Sequence, residues 1–349
     1  MNLNVVLPLC SSVLSFIFFA FLIDQWRERR RTYQLVWAIG MVWYGLSAGT
    51  EFLGGAFGWS EPLYRTWYLI GAIFVAGWLG LGTSLLLART RFGLALVPVF
   101  LLLALISIGG ARLYPDVGIA SPIYAVVSLV LAVSVGWLAF RRDERWATIV
   151  AIGVVGGSIA ATALTLTVSL PSPGWVVDAK THIPTGQLFP GYLRLLTPLF
   201  NVTGAFALSF GALFSAYIFM PKRRLIRYSL DRHQPIGRLI GNILLATVGF
   251  PVNLVASLPG AVVALVRGKL NRRVPATILI AIGGIIPAIT SGLNRFGDTS
   301  GFFVGELLGV VFLFAGFVVS VEVFSEIRIP FTHVVLRARQ AEQATQGAG

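Results

Sequence analysis

The sequence predicts an all-α fold, a polytopic transmembrane helical bundle of about nine full crossings plus a proline-broken, re-entrant segment. Three observations carry this expectation. Of the 349 residues, 56% are hydrophobic and only 12% are charged, with a mean hydropathy of +0.82. That is about half the charged share of a soluble globular domain, so one water-facing shell cannot cover this chain. The apolar residues fall into ten runs long enough, or nearly so, to cross a hydrocarbon core as helices, a form that satisfies the backbone where no water can. The basic residues behind the net charge of +13 cluster in short segments between those runs. There they set orientation and meet anionic headgroups; nucleic acid is not the partner they imply.

In order, the runs are Asn4 to Ile23, Leu35 to Phe57, Tyr64 to Ala88, Leu94 to Gly110, Ser121 to Phe140, Trp146 to Leu170, Tyr192 to Met220, Leu239 to Val266, Val274 to Leu293, and Gly301 to Phe324. The first reads as a retained anchor. A secretory signal carries positive charge before its apolar stretch, whereas here Arg27, Arg29, Arg30 and Arg31 follow it. Arg89 and Arg91 follow run three, Arg141, Arg142 and Arg145 follow run five, and Lys222, Arg223, Arg224, Arg227, Arg232 and Arg238 follow run seven. Positive loops are retained in the cytoplasm, so the sequence places the N-terminus outside a plasma (inner) cell membrane.

Run eight interrupts that alternation, because Arg267, Lys269, Arg272 and Arg273 follow it and a full crossing would export them. Pro251 and Pro259 lie inside the run beside Gly249 and Gly260, and each proline deletes a helix hydrogen bond. The expectation is a pair of half-helices re-entering from the cytoplasmic side, with Asn253 beside the break in need of a partner. Run nine then leaves and run ten returns, with Arg65, Arg112, Lys180, Arg194 and Arg295 the basic residues outside. Residues 1–325 read as one transmembrane domain, divisible between 220 and 236, and 326–349 as a short, frayed cytoplasmic tail. The Pro- and Gly-rich stretch Pro171 to Gly191 reads as irregular structure. Gly45 with Gly49, Gly153 with Gly157, and Gly305 with Gly309 have the spacing that lets helix backbones approach, read here as packing within the bundle.

Several chemistries are excluded by their own requirements. A retinal Schiff base needs a lysine inside the bundle, yet Lys180, Lys222 and Lys269 fall in loops. Axial haem ligation and zinc sites need histidines at suitable positions, but His182, His233 and His333 lie in loops or the tail. Cys10 is the single cysteine, so no thiolate cluster or intrachain disulfide forms. No phosphate-cradling GxxxxGK[ST] occurs, and Asn201-Val-Thr203 matches a glycosylation pattern only by chance, since it is inside run seven. No cofactor, no metal and no enzyme activity is expected.

Ionisable residues inside membrane runs are costly and so mark candidate sites. Glu51 in run two and Glu306 in run ten, with Arg65, Arg194, Arg295 and Asp298 at outer run ends, define a candidate polar pocket opening outward. The carboxylates would be its anionic groups, and the arginines would take a phosphate or carboxylate bidentately. Trp26, Trp59, Trp67, Trp146 and Trp175, near run ends, read as an aromatic belt.

With an outside N-terminus, the basic Arg27 to Arg31 loop, Trp37, Tyr44 and Glu51 in run two and Trp67 in run three, residues 1–220 resemble the seven-transmembrane sensor regions that precede bacterial histidine kinases. The chain departs from that pattern after run seven, where more membrane segments replace a kinase. The resemblance implies reception of an outside or membrane-borne ligand and carries over no catalytic residue. Run count and the broken run eight favour a transporter or channel-like permease; the alternative is a receptor or a structural subunit of a membrane complex, alone or as a homo-oligomer.

Overall fold

The computed structural model describes residues 3–179, 182–229, 234–295, 301–320, 327–328, 330–331 and 335–337. Ten helices follow the ten runs in order. They are α1 (Leu3–Arg29), α2 (Thr32–Phe57), α3 (Glu61–Leu86), α4 (Gly93–Leu113), α5 (Ala120–Phe140), α6 (Arg145–Thr167), α7 (Gly191–Phe219), α8 (Ile236–Val266), α9 (Arg273–Arg295) and α10 (Phe302–Val319). Among the described residues, nine helices are long and apolar enough to cross a membrane. The protein is a multi-pass membrane protein with an all-α bundle.

The helix missing from that set is α2, and the reason is its position. It buries Gln34, Ser47, Thr50 and Glu51 along with Trp37, Met41 and Tyr44. That buried face packs on other helices and is not selected for lipid contact, so it can carry polar groups that a lipid-facing one cannot.

Helices α3 and α7 hold the two halves of the bundle together. On one side Leu79 of α3 and Leu208 of α7 join Phe18, Trp37, Met41, Ala281, Val310 and Phe317 from α1, α2, α9 and α10. On the other, Leu81 and Ala207 join Phe92, Leu96, Leu103, Val135 and Trp146 around α4, α5 and α6. Where α3 and α7 cross there is room for backbone only. A Cβ at Gly204 would overlap the Ala76 carbonyl, and one at Gly80 would lie 2.5 Å from the Gly204 Cα. The α9–α10 pair is similar, since a Cβ at Gly283 would sit 2.6 Å from the Leu313 nitrogen. In the glycine pairs of the sequence, Gly45 receives Phe16, Gly157 receives Phe200, and Gly305 receives Thr290, all from this chain.

The re-entrant pair of half-helices is not what forms, for α8 is continuous through both prolines. Each proline removes one hydrogen bond of many, and both rings lie on the exposed side, where no neighbouring helix is displaced. The buried face of α8 carries Phe250, Asn253, Leu254, Ser257 and Ala261, a helical repeat. Phe250 packs on Phe210, Phe214 and Tyr217 of α7, but α8 runs lengthwise along no other helix among the described residues.

Its partner is instead the exposed strap Pro221–Ser229 that leaves α7. Asn253 is 1% exposed. Its Oδ1 accepts from the Leu225 and Ile226 N–H groups at 2.8 and 3.0 Å, and its Nδ2 donates to the Ile226 carbonyl at 2.8 Å. Ser257 Oγ accepts from the Arg223 N–H at 2.9 Å. The side chains thus supply the bonds that a neighbouring strand would give this extended segment. Beyond α10 a two-stranded antiparallel ladder pairs β1 (Ile327–Arg328) with β2 (Val335–Arg337), where a frayed tail was expected. Between the strands, Phe331 donates its N–H to Asp24 Oδ1 at 3.3 Å.

Two outcomes follow from this packing. Gly204→Val should cost about 1–3 kcal/mol or more through overpacking, seen as loss of the monodisperse gel-filtration peak or a lower unfolding temperature in detergent, while Gly109→Ala, with nothing within 4 Å of its Cβ, should leave both unchanged. Asn253→Ala should release the strap at a cost of roughly 1–3 kcal/mol, read as faster tryptic cleavage at Lys222 to Arg227; cleavage at the parent rate would mean that Asn253 does not hold it.

Candidate functional site

On α2, Tyr44, Ser47 and Glu51 recur at helical spacing and share one face; on α7, Arg194, Thr197, Asn201, Ala205 and Leu208 do the same. These faces meet those of α3, α9 and α10 around a cavity of about 390 Å³, within the range of small-molecule sites. From Arg194 to Leu208 it follows α7 for fourteen residues, roughly 21 Å at the α-helical rise. Its upper wall includes Pro184–Gln187 of the 171–190 loop, and its floor is apolar, with Val75, Leu79, Leu208 and Leu313. Beneath the floor, Trp37 donates Nε1–H to the Leu79 carbonyl at 3.2 Å and packs edge-on against Phe317. The cavity therefore belongs to the arginine-poor end of the bundle, with Trp37 and Phe317 packed between its floor and the arginine-rich end.

The α3 wall is not regular α-helix. Tyr68–Phe74 form a π-helical turn, a rare geometry that recurs at functional sites. Tyr68, Gly71 and Ala72 of that turn line the cavity. The Ala72 carbonyl accepts from Asn201 Nδ2 at 3.4 Å, and the Tyr68 hydroxyl bonds Thr197 Oγ1 at 2.9 Å. The loop is anchored above by aromatic packing: Phe189 stacks on Tyr64 and Tyr68 with ring centroids 5.3 and 3.9 Å away, and the Tyr64 hydroxyl donates to the Thr185 carbonyl.

Glu51 is 2% exposed. Its Oε1 accepts from Trp67 Nε1–H at 2.8 Å, and its carboxyl lies within hydrogen-bond reach of that of Glu306. Ionised carboxyls are acceptors only, so the buried Oε2 atoms of both residues have no donor among the described groups. A proton between them, or a donor on a ligand, would satisfy both. Tyr44 holds α10 in place by donating to the Glu306 backbone carbonyl at 2.7 Å. Arg194 lies over the Tyr114 ring, 4.6 Å from its centroid. The neighbouring Asp116 accepts from the Gly191 N–H at 2.7 Å, satisfying one of the open donors at the α7 N-terminus.

Of the residues expected in a polar pocket, Glu51, Arg194 and Glu306 line this cavity. Arg65 does not. Its guanidinium pairs with Glu61 at 2.5 Å and donates to the Thr165 and Val168 carbonyls at 2.5 and 2.6 Å, tying α3 to the end of α6. Arg295 ends α9, and Asp298 lies outside the described residues. Asn253, Pro251 and Pro259 lie on α8 at the opposite end, where Asn253 bonds the strap and the prolines are exposed. Among the described residues no group of three His, Cys, Asp or Glu side chains gathers.

Trp67 and Trp146, read as belt residues, are buried and donate to Glu51 and to the Ala88 carbonyl. Trp67, Tyr68, Thr197 and Asn201 were missed as site residues. The available signal was polar and aromatic groups at helical spacing inside apolar runs, which marks a buried face even where no motif exists.

No family model, no curated protein and no solved structure matches the chain. The cavity is therefore interpreted from its own chemistry.

Proposed function

We propose that the protein is a permease for a small polar solute, and not an enzyme, with its solute site in the cavity between α2, α3, α7, α9 and α10. The observation that carries this is the buried Glu51–Glu306 carboxyl pair, with acceptor atoms free, in the wall of a cavity that reaches far into the bundle. Carboxyls withdrawn from water at this cost are kept where they bind or release something. The π-helical turn supports the same reading, since it leaves a wall of α3 that can return to regular helix when a solute binds or departs. A receptor reading, in line with the resemblance to sensor regions, is favoured by the Trp37 and Phe317 packing beneath the floor, because a receptor needs one mouth only.

Orientation follows the positive loops. The arginine-poor end and the cavity face outward, the N-terminus is outside the plasma (inner) membrane, and the tail is cytoplasmic. In this reading α8 does not cross. It lies at the cytoplasmic face with both ends on one side, where its exposed Leu245, Val248, Val255, Leu258 and Val262 meet lipid and the basic strap meets anionic headgroups.

Uptake into proteoliposomes from a mixture of amino acids, sugars and nucleosides, read by mass spectrometry, tests transport. Glu51→Gln and Glu306→Gln should each lower uptake by at least roughly tenfold, the worth of one charged hydrogen bond, with folded yield retained. Unchanged uptake in both would take the pair out of the function, and solute binding without uptake would favour the receptor. In a Cys10→Ala background, an impermeant thiol reagent applied outside should label Ala179→Cys and spare Lys222→Cys and Lys269→Cys; external labelling at Lys269→Cys would make α8 a full crossing.

A further inference from the structure

We propose that the cavity takes a zwitterion with an apolar tail, its carboxylate held by Arg194 and its ammonium by Glu51 and Glu306. This rests on reading the cavity as a solute site and names the chemical class that the site selects.

The three ionisable side chains that line the cavity differ from those elsewhere in the bundle. Among the described residues the ion pairs are Arg65–Glu61, Arg89–Glu144 and Arg145–Asp143. None involves Glu51, Arg194 or Glu306. Opposite charges share one cavity, yet they do not neutralise one another by direct contact, and a buried charge without a partner is costly. Arg194 lies over the Tyr114 ring, 4.6 Å from its centroid, a contact that occupies none of the guanidinium's five N–H donors. Their planar fork is the surface that recognises a carboxylate bidentately.

The other pole is built from acceptors. Glu51 Oε2 and Glu306 Oε2 are buried without donors, and the Tyr44 hydroxyl, its hydrogen committed to the Glu306 carbonyl, keeps lone pairs free. An ammonium has three donors, so three acceptors suit it, and Tyr44, Trp67 and Tyr68 add aromatic rings, a surface that favours cations, to the cavity wall. Below the charged groups, Val75, Leu79, Leu208 and Leu313 accept hydrocarbon. A simple amine would leave Arg194 without a counter-charge, and a simple carboxylate would leave the glutamates without a donor. A molecule carrying both signs meets both poles while adding no net charge to a low-dielectric site.

Calorimetric titration of the full chain in lipid nanodiscs tests this with two sets of probes. L-Leucine is compared with isopentylamine and 4-methylpentanoate, and L-phenylalanine with phenethylamine and 3-phenylpropanoate. At least one zwitterion should bind roughly tenfold or more tightly than either of its truncated counterparts, the discrimination expected from one charge-assisted pair. Arg194→Gln should erase the preference over the amine, and Glu51→Gln the preference over the carboxylate. Each is a ratio measured on folded protein, with Arg194→Lys available should the glutamine variant fail to fold. Failure of both zwitterions to bind, or an amine binding as tightly as its zwitterion, would overturn the proposal. Uptake of some other solute by proteoliposomes in that case would leave the permease reading standing, whereas zwitterion binding without uptake would leave this inference standing and remove transport.

Discussion

At the crossing of α3 and α7 the two backbones meet with no side chain between them, and the rest of the bundle is arranged around that approach. Lipid gives helices no hydrophobic reason to associate, so close packing is what holds them. Gly80 and Gly204 permit it. Because α3 and α7 are locked at this level, their flanking turns must part above it, and the cavity opens where they part: Asn201 and Thr197 lie one and two turns from Gly204 toward the arginine-poor end. The same contact sets Leu79 and Leu208 as the floor and keeps the apolar clusters on its two sides continuous.

The π-helical turn belongs to the same constraint. An extra residue in one turn of α3 rotates everything before it relative to everything after it. With Gly80 fixed against α7, that rotation is felt by Tyr68 and Trp67, which are brought to the cavity, and by Tyr64, which goes under the loop at Phe189. Regular helix through Tyr68–Phe74 would shift these aromatics by about 100° per residue of offset, since 3.6 residues complete a turn. The Trp67–Glu51 hydrogen bond depends on that register.

Much of the architecture was legible in the sequence because bilayers impose a simple rule: every crossing segment must be a helix of a minimum length. Ten apolar runs became ten helices. The proline break at run eight was not legible, because proline weakens a helix without stating whether the neighbours will hold it together. Here they do, through Asn253 and Ser257 bonding a strap that the sequence shows only as a charge cluster. In the site, Glu51, Arg194 and Glu306 stood out as charges inside apolar runs. Arg65 did too, yet its neighbours are the open carbonyls ending α6. Nothing local distinguishes an arginine that closes a helix end from one that faces a cavity, since the difference lies a hundred residues away in the chain. Trp67 was hidden for a related reason: a tryptophan near a helix end suits a headgroup belt or an inward hydrogen bond equally well until the rotation of its helix is known.

Among the described residues α2 is the one of the ten helices that is not apolar enough to count as a crossing, and it is the helix on which the cavity depends. A lipid-facing helix is judged by what it shows to hydrocarbon, but an interior one is judged by whether its polar groups find partners. For α2 many do: Ser12 donates to the Gly45 carbonyl at 2.8 Å, Thr50 to the Ser47 carbonyl at 2.6 Å, Tyr44 to the Glu306 carbonyl, and Trp67 to Glu51. Glu51 is only partly satisfied by this set, since its second oxygen has no protein donor. Had that carboxyl served structure alone, glutamine of the same length could supply its own donors to the Glu306 carboxylate and remove the conflict between two acceptors. The site keeps two carboxyls side by side, an arrangement that becomes favourable when a shared proton or a third group brings a donor to their open oxygens.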